Sequence, residues 1–209
     1  MPDTAVSLDG ATLFLFGLRW LHFIFGITWI GLLYFFNFVN GPFAKTMDAE
    51  TKKKVVPQLM PRALWWFRWG AMITFISGWL YIGAKLGLNG QGFIEGLTTS
   101  TWGQWISLGA TLGSIMWFNV WFIIWPAQKK LITWTKKGEA PPEMAALTKK
   151  AFLASRLNTY LSVPMLFCMA AASHLPAFNL VYVLSAFVIG IVLVWHLVNK
   201  VAGKVGANF

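Results

Sequence analysis

Five stretches of this chain are each long and apolar enough to cross a membrane as a helix, and none of them contains a carboxylate. They run from about Leu18 to Asn40, Ala63 to Ala84, Trp102 to Trp125, Ala151 to Ser173 and Ala177 to Asn199. A hydrocarbon core about 30 Å thick needs about 20 predominantly apolar residues in helical form. Inside it every backbone N–H and C=O must find an internal partner, which leaves the helix as the available conformation for such segments. The pattern predicts an all-α integral membrane bundle of about five transmembrane helices, forming one domain over residues 1–209. Pro126 is expected to close the third span, because proline lacks the N–H that would continue it. Residues Ala11 to Gly17 are also apolar and either lengthen the first span or lie along the interface.

Composition enters as support. Charged residues make up 11% of the chain, against roughly 25% in a soluble domain. The 18 Phe and 13 Trp exceed what a soluble core needs. Tryptophan in that number suits membrane–water interfaces, where the apolar ring and the polar N–H are both accommodated. A net charge of +10 raises nucleic acid as a partner. The cations, however, cluster between the apolar runs, so they read as topology signals facing a lipid bilayer. No nucleic acid partner is expected.

The lysines and arginines also set an orientation. Lys45, Lys52, Lys53, Lys54 and Arg62 follow the first span, and Lys129, Lys130, Lys136, Lys137, Lys149 and Lys150 follow the third. With Lys200 and Lys204, 13 of the 17 basic residues fall on one side. The positive-inside rule places that side in the cytoplasm, so the N-terminus is expected outside and the C-terminus in the cytoplasm of a multi-pass protein of the cell inner membrane. The start, Met1-Pro2-Asp3, has no basic region of the kind that opens a cleavable signal peptide, so the first span is expected to be retained. Leu86 to Thr101 reads as a Gly-rich external loop.

Polar groups within spans are costly and usually face the bundle interior, which makes each a site candidate. They are Arg19, His22, Asn37, Arg68, Asn119, Arg156, Asn158, His174 and His196. The absence of a buried acid argues against a proton pump, a cation-coupled carrier and a carboxylate metal site. Depth sorts the histidines. His22 lies three residues inward from Arg19, about 4–5 Å at the helical rise, and His174 ends the fourth span on that same side. His196 lies at the opposite face. Two neutral imidazoles on facing helices are a usual way to hold a b-type haem. On that reading His22 and His174 are the axial metal ligands, Gly26 clears a surface for the macrocycle and Arg19 meets a propionate. The plainer reading is that His174 is an interfacial residue and that His22 bonds a neighbouring helix. Arg68 and Arg156 are expected to snorkel, Asn119 and Asn158 to bond other helices, and Gly109-xxx-Gly113 to mark a packing face. Pro164 is expected to kink the fourth span and open space beside Asn158 or Cys168. Cys168 is expected to be a small core residue.

Three segments carry a family resemblance. They are Arg19-Trp20-Leu21-His22 continuing to Gly26-Ile27-Thr28-Trp29-Ile30-Gly31, Met116-Trp117-Phe118-Asn119-Val120-Trp121 with Ile124-Trp125-Pro126, and Ser155-Arg156-Leu157-Asn158-Thr159 continuing to Pro164-Met165 and Ser173-His174. Together they resemble the urate oxidase N-terminal domain family, the membrane part of a bacterial urate hydroxylase whose complete members carry more helices and a C-terminal cytochrome c domain. The resemblance implies a membrane redox role with electrons passed to a c-type cytochrome. This sequence is shorter and has no CxxCH, so such a cytochrome is expected as a separate chain, and the oxidation of urate by this chain alone is not implied. The leading reading is therefore a haem b redox subunit, of urate hydroxylase type if it is an enzyme. The alternative is a cofactor-free accessory subunit of a larger membrane complex. A transporter is disfavoured by the lack of buried acids and of matched broken helices.

The orientation is directly testable. Reporter fusions after Lys54 and Lys137 should read cytoplasmic and one after Gly92 external; an external signal at Lys137 contradicts the N-outside arrangement.

Overall fold

The computed structural model describes residues 9–205, all helix and connecting turns with no strand among the described residues. The Met1-Pro2-Asp3 start, on which the retained first span rested, lies outside the described residues. Six helices follow in order: α1 (Gly10–Thr46), α2 (Ala49–Leu88), α3 (Phe93–Thr99), α4 (Thr101–Lys137), α5 (Met144–His174) and α6 (Leu180–Val201). Four of them, α1, α2, α4 and α6, are both long and apolar enough to cross a membrane. The fifth long helix, α5, has 31 residues, ample for a crossing, but is more polar, with Lys149, Lys150, Arg156, Asn158 and Ser162 along it. The chain is thus an all-helical membrane protein.

The helices outrun the apolar runs that predict them. α2 has 40 residues, about 60 Å at 1.5 Å per residue, roughly twice what the hydrocarbon core requires. The lysine-rich segments read as loops from sequence are mostly helical extensions, and only residues 138–143 separate α4 from α5. Side-chain caps explain where the helices begin. The Asp9 carboxylate accepts from the Thr12 N–H at 2.6 Å, Asp48 from the Thr51 N–H at 2.8 Å, and the Ser100 hydroxyl from the Gly103 N–H at 2.9 Å. The bonds from Thr51 hold the Asp48 carboxyl below the usual carboxylate range, so this cap is intact at neutral pH and fails as pH falls through that lowered value.

Pro126 does not close its helix. The preceding residues, Asn119–Ile124, form a π-helical turn in which the Trp125 N–H reaches back five residues to the Val120 carbonyl. That widened turn accommodates the proline at the start of the next α segment, and the helix runs on to Lys137. The same device recurs in α1, where Phe35–Asn40 is π-helical, the Gly41 N–H reaches the Phe36 carbonyl, and Pro42 follows.

Four long helices, α1, α2, α4 and α5, surround a common interior, and α6 packs on the flank of α5. α6 offers a narrow stripe, Val183, Ala186, Gly190 and Val194, and exposes the rest of its apolar surface, as a lipid-facing helix does. Gly190 sits against Pro164, where a Cβ would lie 3.1 Å from the proline Cδ. α5 runs unbroken through Pro164, α6 packs against that proline, and Asn158 and Cys168, beside which space is expected from sequence, are both fully buried.

Buried amides tie α4 to α5. The Asn119 Nδ2 donates to the Asn158 carbonyl oxygen at 2.7 Å, and the Asn158 Nδ2 donates to the Met116 carbonyl at 2.9 Å. Both residues are buried, as predicted. Cys168 is likewise a buried thiol packed with Trp105, Ala171 and Val183. The Arg68 guanidinium lies over indoles, 4.0 Å from the centre of a Trp125 ring.

At the end remote from the lysines, the segment read as a loop holds the short helix α3, which folds back on α2 and α4. Glycine is required for that return. A Cβ at Gly103 would fall 2.0 Å from the Gly96 carbonyl oxygen, a backbone atom that cannot step aside.

Candidate functional site

The interior between α1, α2, α4 and α5 is a cavity of about 490 Å³. That volume lies in the ~300–1,000 Å³ range of small-molecule and cofactor sites. The cavity reaches from Arg19 to Tyr34 along α1, 15 residues or about 22 Å at the helical rise. Its wall is almost entirely apolar and aromatic, with Phe23, Trp29, Phe75, Trp79 and Trp102 among the lining residues. Phe23 and Ile27 line it while also exposed on the outside of the bundle, so the cavity opens laterally between helices.

The side chain with the most chemistry in this cavity is His22. Its Nδ1 lies 2.9 Å from the Thr74 backbone carbonyl of α2. A carbonyl only accepts, so Nδ1 is the donor, and in the neutral ring Nε2 keeps its lone pair. The ring has room because residue 78 is glycine. A Cβ there would stand 2.9 Å from His22 Cε1 and 3.1 Å from Nδ1. Gly78 closes a series of small residues, Gly70-xxx-Thr74-xxx-Gly78, that gives α2 a shallow groove along which α1 is laid. At Gly70 the approach is closest, with a Cβ placed 3.2 Å from the Trp29 backbone nitrogen.

Arg19 sits one turn from His22 at the cavity lip. Its Nη2 donates to the Ser173 hydroxyl at 3.3 Å, and the guanidinium lies 5.5 Å from the centre of the Tyr81 ring. Lys85, at the same end of α2, places its ammonium 3.9 Å from the centre of the Trp102 ring. Neither cation has a carboxylate partner among the described residues. Deeper in, the buried Trp29 leaves its Nε1–H without an acceptor. Trp79 Nε1 donates to the Ser114 hydroxyl at 3.2 Å, and the hydroxyls of Tyr34 and Ser162 meet at 2.9 Å.

Of the residues singled out from sequence, the structure brings Arg19, His22 and Gly26 to this one cavity. It does not bring His174 there. That side chain is exposed at the last residue of α5, with its Nδ1 donating to the Ala170 carbonyl of its own helix at 2.8 Å, while its neighbour Ser173 lines the cavity. His196 is exposed on α6, away from the site. Gly26 serves the helix contact more than the open space, since a Cβ there meets the Thr74 methyl at 3.8 Å. The open wall belongs to Gly31 and Gly113, which line the cavity and have nothing within 4 Å of a Cβ. The Gly109-xxx-Gly113 pair therefore divides: Gly109 packs against Cys168 and Met169 of α5, and Gly113 faces the cavity. Thr74, Gly78, Met165 and Met169 were not foreseen as site residues. The recurring small residues at 70, 74 and 78 are a sequence signal for the first two; methionines in apolar runs carry none.

Arg19, His22 and Gly26 thus share one apolar cavity inside the helix bundle of a membrane protein. The chain belongs to the urate oxidase N-terminal family, whose model matches residues 88–206, more than half of the sequence. The match spans α3 to α6, whereas His22, Thr74 and Gly78 stand on α1 and α2 before it. No curated protein and no solved structure matches the chain.

The close fit of His22 to Gly78 predicts a measurable coupling. Gly78→Ala should destabilise the protein in detergent by about 1–3 kcal/mol, the usual cost of overpacking. In a His22→Ala background the same change should cost less by about 1 kcal/mol or more, because the ring it strikes is gone. Equal costs in both backgrounds would show that the imidazole is not where Gly78 leaves room for it.

Proposed function

We propose that this chain is a membrane redox subunit related to urate hydroxylase, holding a b-type haem in the cavity between α1, α2, α4 and α5 and passing electrons to a c-type cytochrome. The observation that carries the reading is His22, which lines an apolar cavity while Thr74 holds its Nδ1, leaving Nε2 available as a ligand. Metal-ligating histidines are oriented in this way, with the second ring nitrogen donated to a carbonyl, carboxylate or water. The rest of the site fits the group. Gly31 and Gly113 leave bare wall for a flat macrocycle, the aromatic lining excludes water, and Arg19 and Lys85 supply the positive charge that propionates need.

When bound, the haem would supply one-electron chemistry, accepting and releasing an electron at its iron. The chain's own residues would do the remaining work. His22 would fix the iron's position and Arg19 the orientation of the macrocycle's polar edge, and the dry walls would keep the charge change in a low-dielectric setting that tunes the potential. The lysine distribution favours an orientation with this site toward the outer face of the cell inner membrane, within reach of a c-type cytochrome outside it. The sequence contains no CxxCH of its own. The cofactor-free accessory subunit is the reading that remains if the cavity takes no haem.

The test is a reduced-minus-oxidised absorption spectrum of protein purified from haem-replete membranes. A b-type spectrum is expected, lost in His22→Ala and weakened in Arg19→Ala. Gly113→Leu should melt within a few degrees of the native protein, because nothing lies within 4 Å of the new Cβ, yet should abolish haem binding by filling the cavity. A native protein that binds no haem when isolated or titrated with hemin contradicts the proposal.

A further inference from the structure

We propose that the second axial ligand in this cavity is the thioether of Met169 on α5, and not the imidazole of His174. The inference rests on the haem reading above and identifies the residue that completes it.

α1 and α5 run in opposite directions, and their register is set by the short side chains of Asn37 and Ser155, which bond at 3.0 Å, together with the bond from Arg19 to Ser173. From that level His22 lies three residues, about 4.5 Å, into the bundle along α1. On α5, Met169 lies four residues in from Ser173, about 6 Å at the same rise. The two residues therefore stand within about 1.5 Å of the same depth, and both line the one cavity. His174 lies on the other side of Ser173, one residue farther from the interior, so it stands about 6 Å from the level of His22. Its ring is exposed and bonded to its own helix. Met165 also lines the cavity, but a full turn deeper than Met169, about 12 Å in from Ser173, where it is buried in the main core cluster.

Chemistry and packing both suit Met169. Haem iron accepts thioether sulfur, and a Met/His pair raises the reduction potential because the soft sulfur favours the reduced metal. Methionine has three rotatable bonds, so its sulfur can be redirected at small cost. Met169 packs against α4 at Gly109, where a Cβ would stand 3.4 Å from the sulfur and 3.2 Å from the terminal methyl. Glycine at 109 lets α4 close directly on this methionine, which a side chain there would displace. No step of group transfer is involved: the sulfur would only lend a lone pair to the iron of a bound haem.

The experiment compares native protein with Met169→Leu, Met169→His, Met165→Leu and His174→Ala, each loaded with haem b. The ferric native protein is expected to show the weak near-infrared band of sulfur-to-iron charge transfer and a low-spin spectrum. Met169→Leu should keep bound haem but lose that band. Met169→His should restore a low-spin spectrum without the band and lower the reduction potential. His174→Ala should change neither spectrum nor potential. A bound haem whose band and potential are unchanged in both Met169 variants overturns the assignment, as does loss of the band in Met165→Leu alone or loss of low-spin character in His174→Ala. A chain that takes up no haem in any form overturns the redox reading itself, which is a distinguishable result.

Discussion

The structure depends first on the close approach of α1 to α2. Small residues at 70, 74 and 78 let the two backbones come together, with a Cβ at Gly70 falling 3.2 Å from the Trp29 nitrogen. In lipid there is little hydrophobic gain from pressing two apolar helices together, so such contacts rely on dispersion between closely fitted surfaces and on interhelical hydrogen bonds. This interface supplies both. The same approach brings the Thr74 carbonyl within 2.9 Å of the His22 ring and sets its tautomer. Packing and site chemistry thus come from one contact, and a side chain at Gly78 would disturb both.

A second set of contacts keeps the cavity open on its far side. Asn119 and Asn158 lock α4 to α5 toward the lysine-rich half, and Trp105 ties the opposite half of α4 to the α5–α6 connection by donating to the Ala177 carbonyl at 3.3 Å. Between these anchors the two helices leave the wall that faces His22, formed by Gly113, Ser114, Met165 and Met169. The family match covers this wall and its anchors, while the histidine stands on α1. The cavity is therefore a joint product of the family segment and the two helices that precede it.

Much of this was legible in the sequence. Long apolar runs without acids define the helices, because unpaired backbone is intolerable in lipid, and buried Asn119 and Asn158 could be expected to find partners across helices. Arg19, His22 and Gly26 were identifiable from their shared face on α1. Three features escaped. Pro126 and Pro42 continue their helices because π-helical turns precede them, and a π turn has no residue signature. The lysine-rich segments are helical because capping by Asp48 and the long α2 and α4 carry regular structure past the apolar boundary. His174 ends its helix on the same side of the bundle as His22, but that says nothing of rotation about the helix axis. Ser173 took the inward position, and His174, one residue on and about 100° around, did not.

The account stands or falls on the state of one imidazole. Nitrogen NMR of the protein in bilayers, with histidine labelled at both ring nitrogens and assigned through His22→Gln, reads that state in the haem-free form. Geometry predicts a proton on Nδ1, shared with the Thr74 carbonyl, and an unprotonated Nε2 at neutral pH. A proton on Nε2, with Nδ1 bare, would mean that the Thr74 bond does not exist and that the lone pair on which the site depends points away from the cavity.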